Sequence, residues 1–325
     1  MASVVLTDHA WPDVEVERAI VEAAGHRLVA PYASATEAQI DALVEAEQPA
    51  AVMTCWAPVS ARAIASAQSL RVVARLGVGL DNIAVNDATR RGIWVTNVPD
   101  YCVEEVSDHA VALTLSWFRG VTLLDREVRR GIWNPSGARL ARVSTLTAGI
   151  IGYGRIGHRT ASKLVGLGLT VLALRPRSGV TSRGAAELVD LNTLVERSNV
   201  VILHLPLTPE THHLVNAPLL ARMRPGALLV NASRGGVVDT SALVDALERG
   251  LIGGAALDVV EGEPGPDQRL LDQSNVIVTP HVAFSSDVSI QELRRRASEE
   301  VVRVLSGSAP EQPCNSPMAR VVQAP

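Results

Sequence analysis

The sequence has few cysteines and almost no lysine, and both shortages narrow what the protein can be. The three cysteines, Cys55, Cys102 and Cys314, are odd in number and far apart. This spacing fits neither a disulfide framework nor a zinc-binding pattern, so we expect reduced thiols and no metal site. Lys163 is the only lysine among 30 basic residues, which we attribute to codon composition rather than to function.

Long apolar runs and an excess of positive charge are also missing. No run approaches the roughly 18 residues of a membrane-spanning helix, and the N-terminal stretch lacks the basic segment of a secretory signal. The net charge of −4 gives no general attraction to nucleic acid or to anionic membranes. We therefore expect a cytoplasmic protein that binds neither nucleic acid nor membrane, with any anion-binding site confined to a local feature.

The order of apolar segments indicates an α/β protein. With 325 residues, the chain is long enough for two domains. Short apolar strands alternate with helical patterns over the first hundred residues, and a second such series ends at Pro280. This alternation predicts parallel sheets of the Rossmann-like or flavodoxin-like kind. One amphipathic helix is predicted from Asp287 to Leu305, and the Pro- and Ser-rich tail after it is expected to be poorly ordered.

The segment T-A-G-I-I-G-Y-G-R-I-G-H contains the pattern G-x-G-x-x-G at Gly152, Gly154 and Gly157. An apolar strand precedes it and a helical pattern follows it, which is the context that dinucleotide binding requires. The first glycine permits a tight turn, the second lets the backbone approach a pyrophosphate, and the third lets the helix pack on the strand. The helix N-terminus then offers unpaired N–H groups to the phosphates.

Two arginines follow the next predicted strand, in V-L-A-L-R-P-R-S. Arg175 stands about 20 residues after the glycine loop, where an acid usually holds the ribose hydroxyls of NAD. An arginine at this position favours the 2′-phosphate of NADP, and Arg177 supplies a second charge. The alternative is that both arginines are solvated loop residues.

Three later strands end in residues that suit carbonyl reduction. Arg234 follows L-L-V-N-A-S, Glu263 follows A-A-L-D-V-V-E-G, and His281 follows V-I-V-T-P. In an open α/β sheet, ligands bind beyond the carboxyl ends of the strands, so these side chains can converge. An arginine binds a carboxylate, a histidine donates a proton, and a glutamate steadies the charged imidazole. Nothing marks His204, His212 or His213 as catalytic.

The motifs R-L-G-V-G-L-D-N-I, I-I-G-Y-G-R-I-G, N-A-S-R-G-G-V-V-D, L-D-V-V-E-G-E-P and T-P-H-V-A-F together resemble the D-isomer-specific 2-hydroxyacid dehydrogenase family. The resemblance implies that Arg234, Glu263 and His281 are catalytic. It implies that the backbone N–H groups of Val78 and Gly79 meet the substrate carboxylate. Asp258 matches the acid beside the nicotinamide. The other implied cofactor contacts are Gly152, Gly154, Arg155, Ile156, Gly157, Leu205, Ala232 and Ser233.

The resemblance also implies a domain plan and a reaction. We predict a discontinuous substrate domain of residues 1–98 plus 286–325, a dinucleotide-binding domain of residues 99–285, and a cleft between them. We predict reduction of a small 2-oxo acid, such as glyoxylate, hydroxypyruvate or a phosphono-substituted acid, to a D-2-hydroxy acid. The family usually has an acid where Arg175 stands, so we predict that NADPH is the preferred cofactor. NAD remains an alternative.

Other functions and the assembly stay open at this point. The segments V-A-F-S-S and P-D-Y-C-V-E-E-V-S-D-H resemble the branch that includes the C-terminal-binding transcriptional corepressors, so a dinucleotide-sensing interaction protein is one alternative. A phosphite-type dehydrogenase is another, and a methyl-donor-binding protein is a third. A single helical pattern over residues 103–130, with Gly120 inside and Trp117 and Phe118 adjacent, is more apolar than an exposed helix needs. A homodimer through this region is expected, with burial within the chain as the alternative.

Overall fold

A computed structural model describes residues 1–138, 140–174, 184 and 186–317 of the chain. Strands alternate with helices along this described part. The strands are β1 (Ser3–Leu6), β2 (Arg27–Val29), β3 (Ala51–Thr54), β4 (Val72–Arg75), β5 (Trp94–Thr96), β6 (Thr147–Ile151), β7 (Thr170–Leu174), β8 (Glu187–Val189), β9 (Val200–Leu203), β10 (Leu228–Asn231), β11 (Gly254–Leu257) and β12 (Val276–Val278). The α-helices are α1 (Glu15–Ala23), α2 (Glu37–Glu47), α3 (Ala61–Ser66), α4 (Val85–Arg90), α5 (Val103–Phe118), α6 (Val121–Arg129), α7 (Arg155–Gly166), α8 (Leu191–Arg197), α9 (Ala217–Leu220), α10 (Thr240–Glu248), α11 (Gln268–Leu271) and α12 (Asp287–Leu305).

The chain separates into two compact units, each built on a parallel sheet. The first unit comprises Met1–Tyr101 and the chain from Ser286 onwards, and the second comprises Cys102–Ser285. The sheet of the first unit has the order β2-β1-β3-β4-β5, which is the flavodoxin-like order. The sheet of the second unit has the order β12-β11-β10-β9-β6-β7-β8, which is the Rossmann order with one added strand. The predicted fold class of two parallel-sheet α/β units is confirmed.

The strands form where apolar residues run without interruption. Strands β3, β4, β9, β10 and β11 are buried at every position. Continuous burial is what helices on both faces of a parallel sheet impose, and branched or small apolar residues fit it. In the second unit, Ile151, Leu172, Leu203 and Leu229 belong to one core cluster, while Ile150, Ile202 and Val230 belong to another. The two clusters reflect the alternation of side chains along each strand.

The helix expected over residues 103–130 is in fact two helices. Gly120 has φ +62° and separates α5 from α6, since a left-handed residue ends an α-helix. Trp117 and Phe118 pack against the core of their own unit. The Trp117 ring packs directly over Gly254 of β11, so part of the apolar surface of this region is buried within the chain, and the homodimer stays a prediction.

The tail expected to be poorly ordered is attached to the first unit as far as it is described. The backbone N–H of Cys314 donates to the carbonyl of Val95 at 2.8 Å, and Pro313 pairs antiparallel with Thr96. The Asn315 side chain accepts from the Val95 N–H at 2.9 Å. Strand β5 is at the edge of its sheet, and its unpaired backbone groups explain why a Pro-rich segment is held there. Within the described residues, no helix is both long and apolar enough to cross a membrane.

Candidate active site

The glycine loop follows β6, at the centre of the second unit's sheet. Gly152 has φ +102°, and a Cβ there would lie 2.2 Å from the carbonyl oxygen of His204 in the loop after β9. A Cβ at Gly157 would lie 2.2 Å from the Gly152 carbonyl oxygen. These two glycines are required by close backbone packing within the loop.

Gly154 is different, because a Cβ at this position would have no neighbour within 4 Å. Its exposed backbone leaves space for a ligand to approach, and it is the N-cap of α7 without any side-chain cap hydrogen bond. Arg155 and Ile156 form the first turn of this 12-residue helix, whose N–H groups and dipole favour an anion. The loop fits the pyrophosphate of a dinucleotide, and Leu205 follows β9 next to it.

Arg175 and Arg177 are the residues that bear on the choice between NADP and NAD. Strand β7 ends at Leu174, and the predicted phosphate contacts Arg175 and Arg177 lie outside the described residues.

The turn after β10 holds Arg234 through a buried asparagine. Asn231 donates from Nδ2 to the carbonyl of Arg234 at 2.9 Å, and its Oδ1 accepts from both the N–H and the hydroxyl of Ser233. These bonds also fix Ala232 between them. The next residue, Gly235, packs so closely that its Cβ would lie 2.2 Å from the carbonyl carbon of Val260. The arginine turn is therefore seated directly on the loop that leads to Glu263.

The loop after β12 holds His281 through Asp258. The Asp258 carboxylate is buried, and it accepts from the Thr279 hydroxyl at 2.6 Å and from the N–H groups of Val282 and Ala283 at 3.0 and 2.9 Å. The His281 N–H donates to the Asp258 carbonyl at 2.8 Å. These bonds make Asp258 the anchor of the histidine loop. Its predicted contact with the nicotinamide stays a prediction.

Glu263 and His281 are brought together as the sequence predicts. His281 Nδ1 lies 3.3 Å from Glu263 Oε1, and both side chains are partly exposed. Strands β10, β11 and β12 are neighbours, so the loops that carry Arg234, Glu263 and His281 lie at one edge of the sheet. A carboxylate on one nitrogen of an imidazole leaves the other nitrogen to exchange a proton with a ligand. At this edge, the Arg234 guanidinium can bind the carboxylate of a ligand, and His281 can donate a proton to a ligand oxygen.

In the first unit, Val78 and Gly79 follow β4. The Val78 carbonyl accepts from Asn97 Nδ2 at 2.6 Å, and the Val78 side chain is exposed. The guanidinium of the buried Arg75 packs over Gly77 in the same turn, where a Cβ would approach Arg75 Nη1 to 2.7 Å. The side chains of Asn97 and Arg75 thus both contact this turn.

Several supporting residues were missed at the sequence level. Asn231 and Thr279 each hold one of the loops described above, and His109 Nε2 lies 3.0 Å from the Thr279 hydroxyl oxygen. The signal available was weak: Asn231 and Thr279 are polar residues at the very ends of apolar strands. Glu261 was seen only as part of a motif. It accepts from the Thr240 N–H at 2.9 Å and from His213 at 2.6 Å.

Comparison with known proteins identifies the family. The sequence profile of the D-isomer specific 2-hydroxyacid dehydrogenase, NAD binding domain, matches residues 111–283. A glyoxylate reductase of Korarchaeum cryptofilum is 40% identical over 272 residues, which cover 81% of this chain and 82% of that protein. A D-3-phosphoglycerate dehydrogenase of Archaeoglobus fulgidus is 38% identical over 264 residues, which cover 79% of this chain but only 50% of that protein.

Solved structures give the same answer for the whole fold. The TT0316 protein of Thermus thermophilus superposes with a TM-score of 0.87 at 31% identity, covering 96% of this chain and 99% of that chain. A D-lactate dehydrogenase of Aquifex aeolicus, solved with NAD and lactic acid, superposes with a TM-score of 0.86 at 26% identity, covering 97% of this chain and 100% of that chain. The chain belongs to the D-isomer specific 2-hydroxyacid dehydrogenase family and is an NAD(P)-dependent enzyme that interconverts 2-oxo acids and D-2-hydroxy acids.

Proposed function

We propose that this enzyme reduces glyoxylate, hydroxypyruvate or a closely related small 2-oxo acid, and that it uses NADPH. The observation that carries the proposal is the Glu263–His281 pair, 3.3 Å apart, at the same sheet edge as the Arg234 turn. Relatives named glyoxylate reductase, such as that of Thermofilum pendens at 37% identity, support the choice of a small substrate.

Each of the three residues has a distinct part in the proposed reaction. The Arg234 guanidinium binds the substrate carboxylate through paired charge-assisted hydrogen bonds and polarises the adjacent carbonyl. Bound NADPH supplies the hydride to the carbonyl carbon. His281 donates a proton from Nε2 to the developing alkoxide oxygen, and Glu263 stabilises the protonated imidazole from the Nδ1 side. Hydride and proton together balance the reduction of a ketone to an alcohol.

The preference for NADPH rests on the sequence position of Arg175. Strand β7 is the second strand of the dinucleotide-binding unit, and the residue after it is the one that meets the adenosine ribose in this fold. A charge-assisted bond to a 2′-phosphate contributes roughly 1.5–3 kcal/mol, or about 10–100-fold in affinity. An acid at the same position would repel that phosphate.

The test measures kcat/KM for a panel of 2-oxo acids, phosphono-substituted acids included, with NADPH and NADH in one buffer at one salt concentration. We expect NADPH to be the better cofactor. Arg175→Asp should reverse the preference, and Arg177→Ala should weaken NADPH more modestly. Arg249→Asp, on the exposed end of α10, is the matched control and should change neither.

Two outcomes would contradict parts of the proposal. Equal or better use of NADH would mean that the two arginines are solvated loop residues. Binding of NADPH without reduction of any 2-oxo acid would favour the corepressor-like alternative, and oxidation of phosphite with NADP would favour the phosphite-type one.

A further inference from the structure

Two adjacent histidines and a glutamate form a cluster that hydride transfer does not use. His212 and His213 lie in the loop between β9 and α9, and Glu261 lies in the loop after β11. The imidazole rings stack with centroids 4.0 Å apart and planes 22° apart, so the exposed His212 ring must turn out of the stack for both rings to direct a nitrogen at one ion. One ligand atom from each of the three residues lies within 4.8 Å of the others, and His212 is exposed to solvent.

Backbone contacts hold this cluster in place. His213 has φ +51°, a conformation that few histidines adopt, and its N–H donates to the Gly236 carbonyl at 2.9 Å. The His212 N–H donates to the Thr208 carbonyl at 2.9 Å. The Glu261 carboxylate is tied by Oε2 to the Thr240 N–H at 2.9 Å. Two separate loops are therefore fixed so that the side chains of His212, His213 and Glu261 meet.

The ligand chemistry of the cluster is that of a borderline transition metal. Two imidazoles and one carboxylate are a donor set that zinc and its first-row neighbours accept in proteins. Asp239 adds a second carboxylate: its Oδ2 lies 4.0 Å from Nδ1 of His213, on the far side of the ring from Glu261. This separation is too long for the hydrogen bond by which a carboxylate usually supports a metal-binding imidazole, but the negative charge of Asp239 favours a cation at the cluster.

The hydrogen bond between His213 and Glu261 occupies the position that a metal ion would take. His213 Nε2 and Glu261 Oε1 are 2.6 Å apart and share a hydrogen bond. Metal bonds of about 2.0–2.2 Å separate tetrahedral ligands by about 3.4 Å. The pair must open by roughly 0.8 Å, which rotation of partly exposed side chains allows.

We propose that His212, His213 and Glu261 bind a divalent transition-metal ion such as Zn²⁺, which replaces the proton between His213 and Glu261. His212 separates this proposal from a simple ion pair, because a His213–Glu261 pair needs no second histidine. The site uses none of the residues assigned to hydride transfer. Metal binding to this cluster can therefore be measured without substrate or cofactor.

The experiment titrates Zn²⁺ into the full-length, chelator-treated protein by calorimetry, without NADPH or substrate. We expect one Zn²⁺ per chain, bound more tightly as the pH rises from about 6 to 8, because binding releases a proton. Loss of a carboxylate that only supports a metal ligand weakens metal binding by about 10–100-fold. His212→Gln and His213→Gln each remove a proposed ligand, so each should weaken Zn²⁺ binding by more than that. His158→Gln, an exposed histidine that stacks on Tyr153, is the matched control and should bind like the wild type.

A second measurement tests whether the metal ion binds to cysteine thiolates instead of the proposed site. Co²⁺ bound through imidazole and carboxylate lacks the intense near-ultraviolet absorption that a thiolate ligand produces. The proposal is wrong if the wild type takes up no Zn²⁺ at micromolar concentrations, if Co²⁺ shows thiolate ligation, or if His212→Gln binds as well as the wild type. His212 is exposed, so its substitution tests the site even if His213→Gln does not fold.

Discussion

His281 has a backbone conformation that is uncommon for any residue with a Cβ. Its φ is +53°, and this conformation is stabilised by bonds from the His281 N–H to the carbonyls of Asp258 and Thr279. Strained residues of this kind collect at functional sites, where the surrounding structure compensates for their cost. Here the result is an imidazole whose Nδ1 is directed to Glu263, with Nε2 on the opposite side of the ring.

Removing this imidazole should slow turnover without weakening cofactor binding. His281→Ala is expected to lower kcat by about 10²–10⁴-fold, the usual contribution of a proton donor, while the Kd for NADPH stays nearly unchanged. Steady-state kinetics and fluorescence titration of NADPH measure the two quantities. Glu263→Gln is the conservative companion and should also lower kcat, because the imidazolium at His281 loses the carboxylate that lies 3.3 Å from its Nδ1. A His281→Ala enzyme with near wild-type kcat would remove the histidine from the mechanism.

His204 makes the stability of the second unit sensitive to acid. Burial lowers the pKa of His204 to about 4 from its ordinary value of 6.5, and among the described residues its Nδ1 has no hydrogen-bond partner. The unfolded chain therefore binds the proton more readily than the folded one between these values. Stability is complete above about pH 6.5 and is lost as the pH falls towards 4.

His204→Asn should reduce this acid sensitivity. The wild type should lose about 2 kcal/mol of unfolding free energy from this group between pH 7 and pH 5, and the variant should not. Urea unfolding at the two pH values gives the difference, and any loss from the smaller side chain cancels because each protein is compared with itself. Equal losses in both proteins would show that another group controls the acid response.

At the scale of single elements, sequence patterns predict strands and helix starts better than helix ends. The predicted helix from Asp287 to Leu305 is confirmed, since Ser286 caps it and an amphipathic pattern runs its whole length. The helix over residues 103–130 was predicted as one because Gly120 is tolerated in many helices. A glycine is also the usual residue just after a helix C-terminus, but the apolar pattern that continues on both sides of Gly120 conceals this signal.

The glycine loop allows cofactor binding to be separated from folding. Gly154→Ala should leave the melting temperature nearly unchanged, because its Cβ meets nothing within 4 Å and its φ is −87°. The same methyl group should raise the Kd for NADPH by about tenfold or more, or about 1.4 kcal/mol, because it occupies the approach of the pyrophosphate. Differential scanning fluorimetry and ligand titration provide the two measurements.

Gly152→Ala is the contrasting variant. Its Cβ would lie 2.2 Å from the His204 carbonyl oxygen, so it should lower the melting temperature itself. If Gly154→Ala bound NADPH as tightly as the wild type, the loop would not contact the pyrophosphate in the way proposed.

At the scale of the whole molecule, the sequence predicts which strands are followed by candidate catalytic residues. It does not predict how the loops that carry these residues contact one another. Motif and strand order were enough to predict that Glu263 and His281 would meet, because parallel strands end at one edge. They could not predict that the Asp258 carboxylate accepts hydrogen bonds from the Thr279 hydroxyl and from two backbone N–H groups. Nor could they show that His213 meets Glu261, since 48 residues separate them. Such contacts arise from loop packing, which has no sequence period.

The same distinction applies to assembly, where the exposed apolar side chains narrow the predicted homodimer surface to α6 and the segment after it. Helix α6 has no buried residue, and Val121, Leu123 and Val128 on it are 59%, 48% and 49% exposed. Ile132 and Trp133 follow at 50% and 82% exposure. So many large apolar side chains over 13 residues form a patch that a single soluble chain rarely leaves in water, and a second copy of the same helix would cover it symmetrically.

We therefore expect a dimer at micromolar concentration through α6 and the segment after it, rather than through Trp117 and Phe118. Sedimentation velocity should give the mass of two chains for the wild type. Val128→Ser combined with Trp133→Ser should shift it to one chain, because this removes two large exposed side chains from the centre of the interface. Leu271→Ser removes a similarly exposed side chain from α11 and should leave the dimer intact. A monomeric wild type, or a dimer that survives the double substitution, would exclude this surface as the interface.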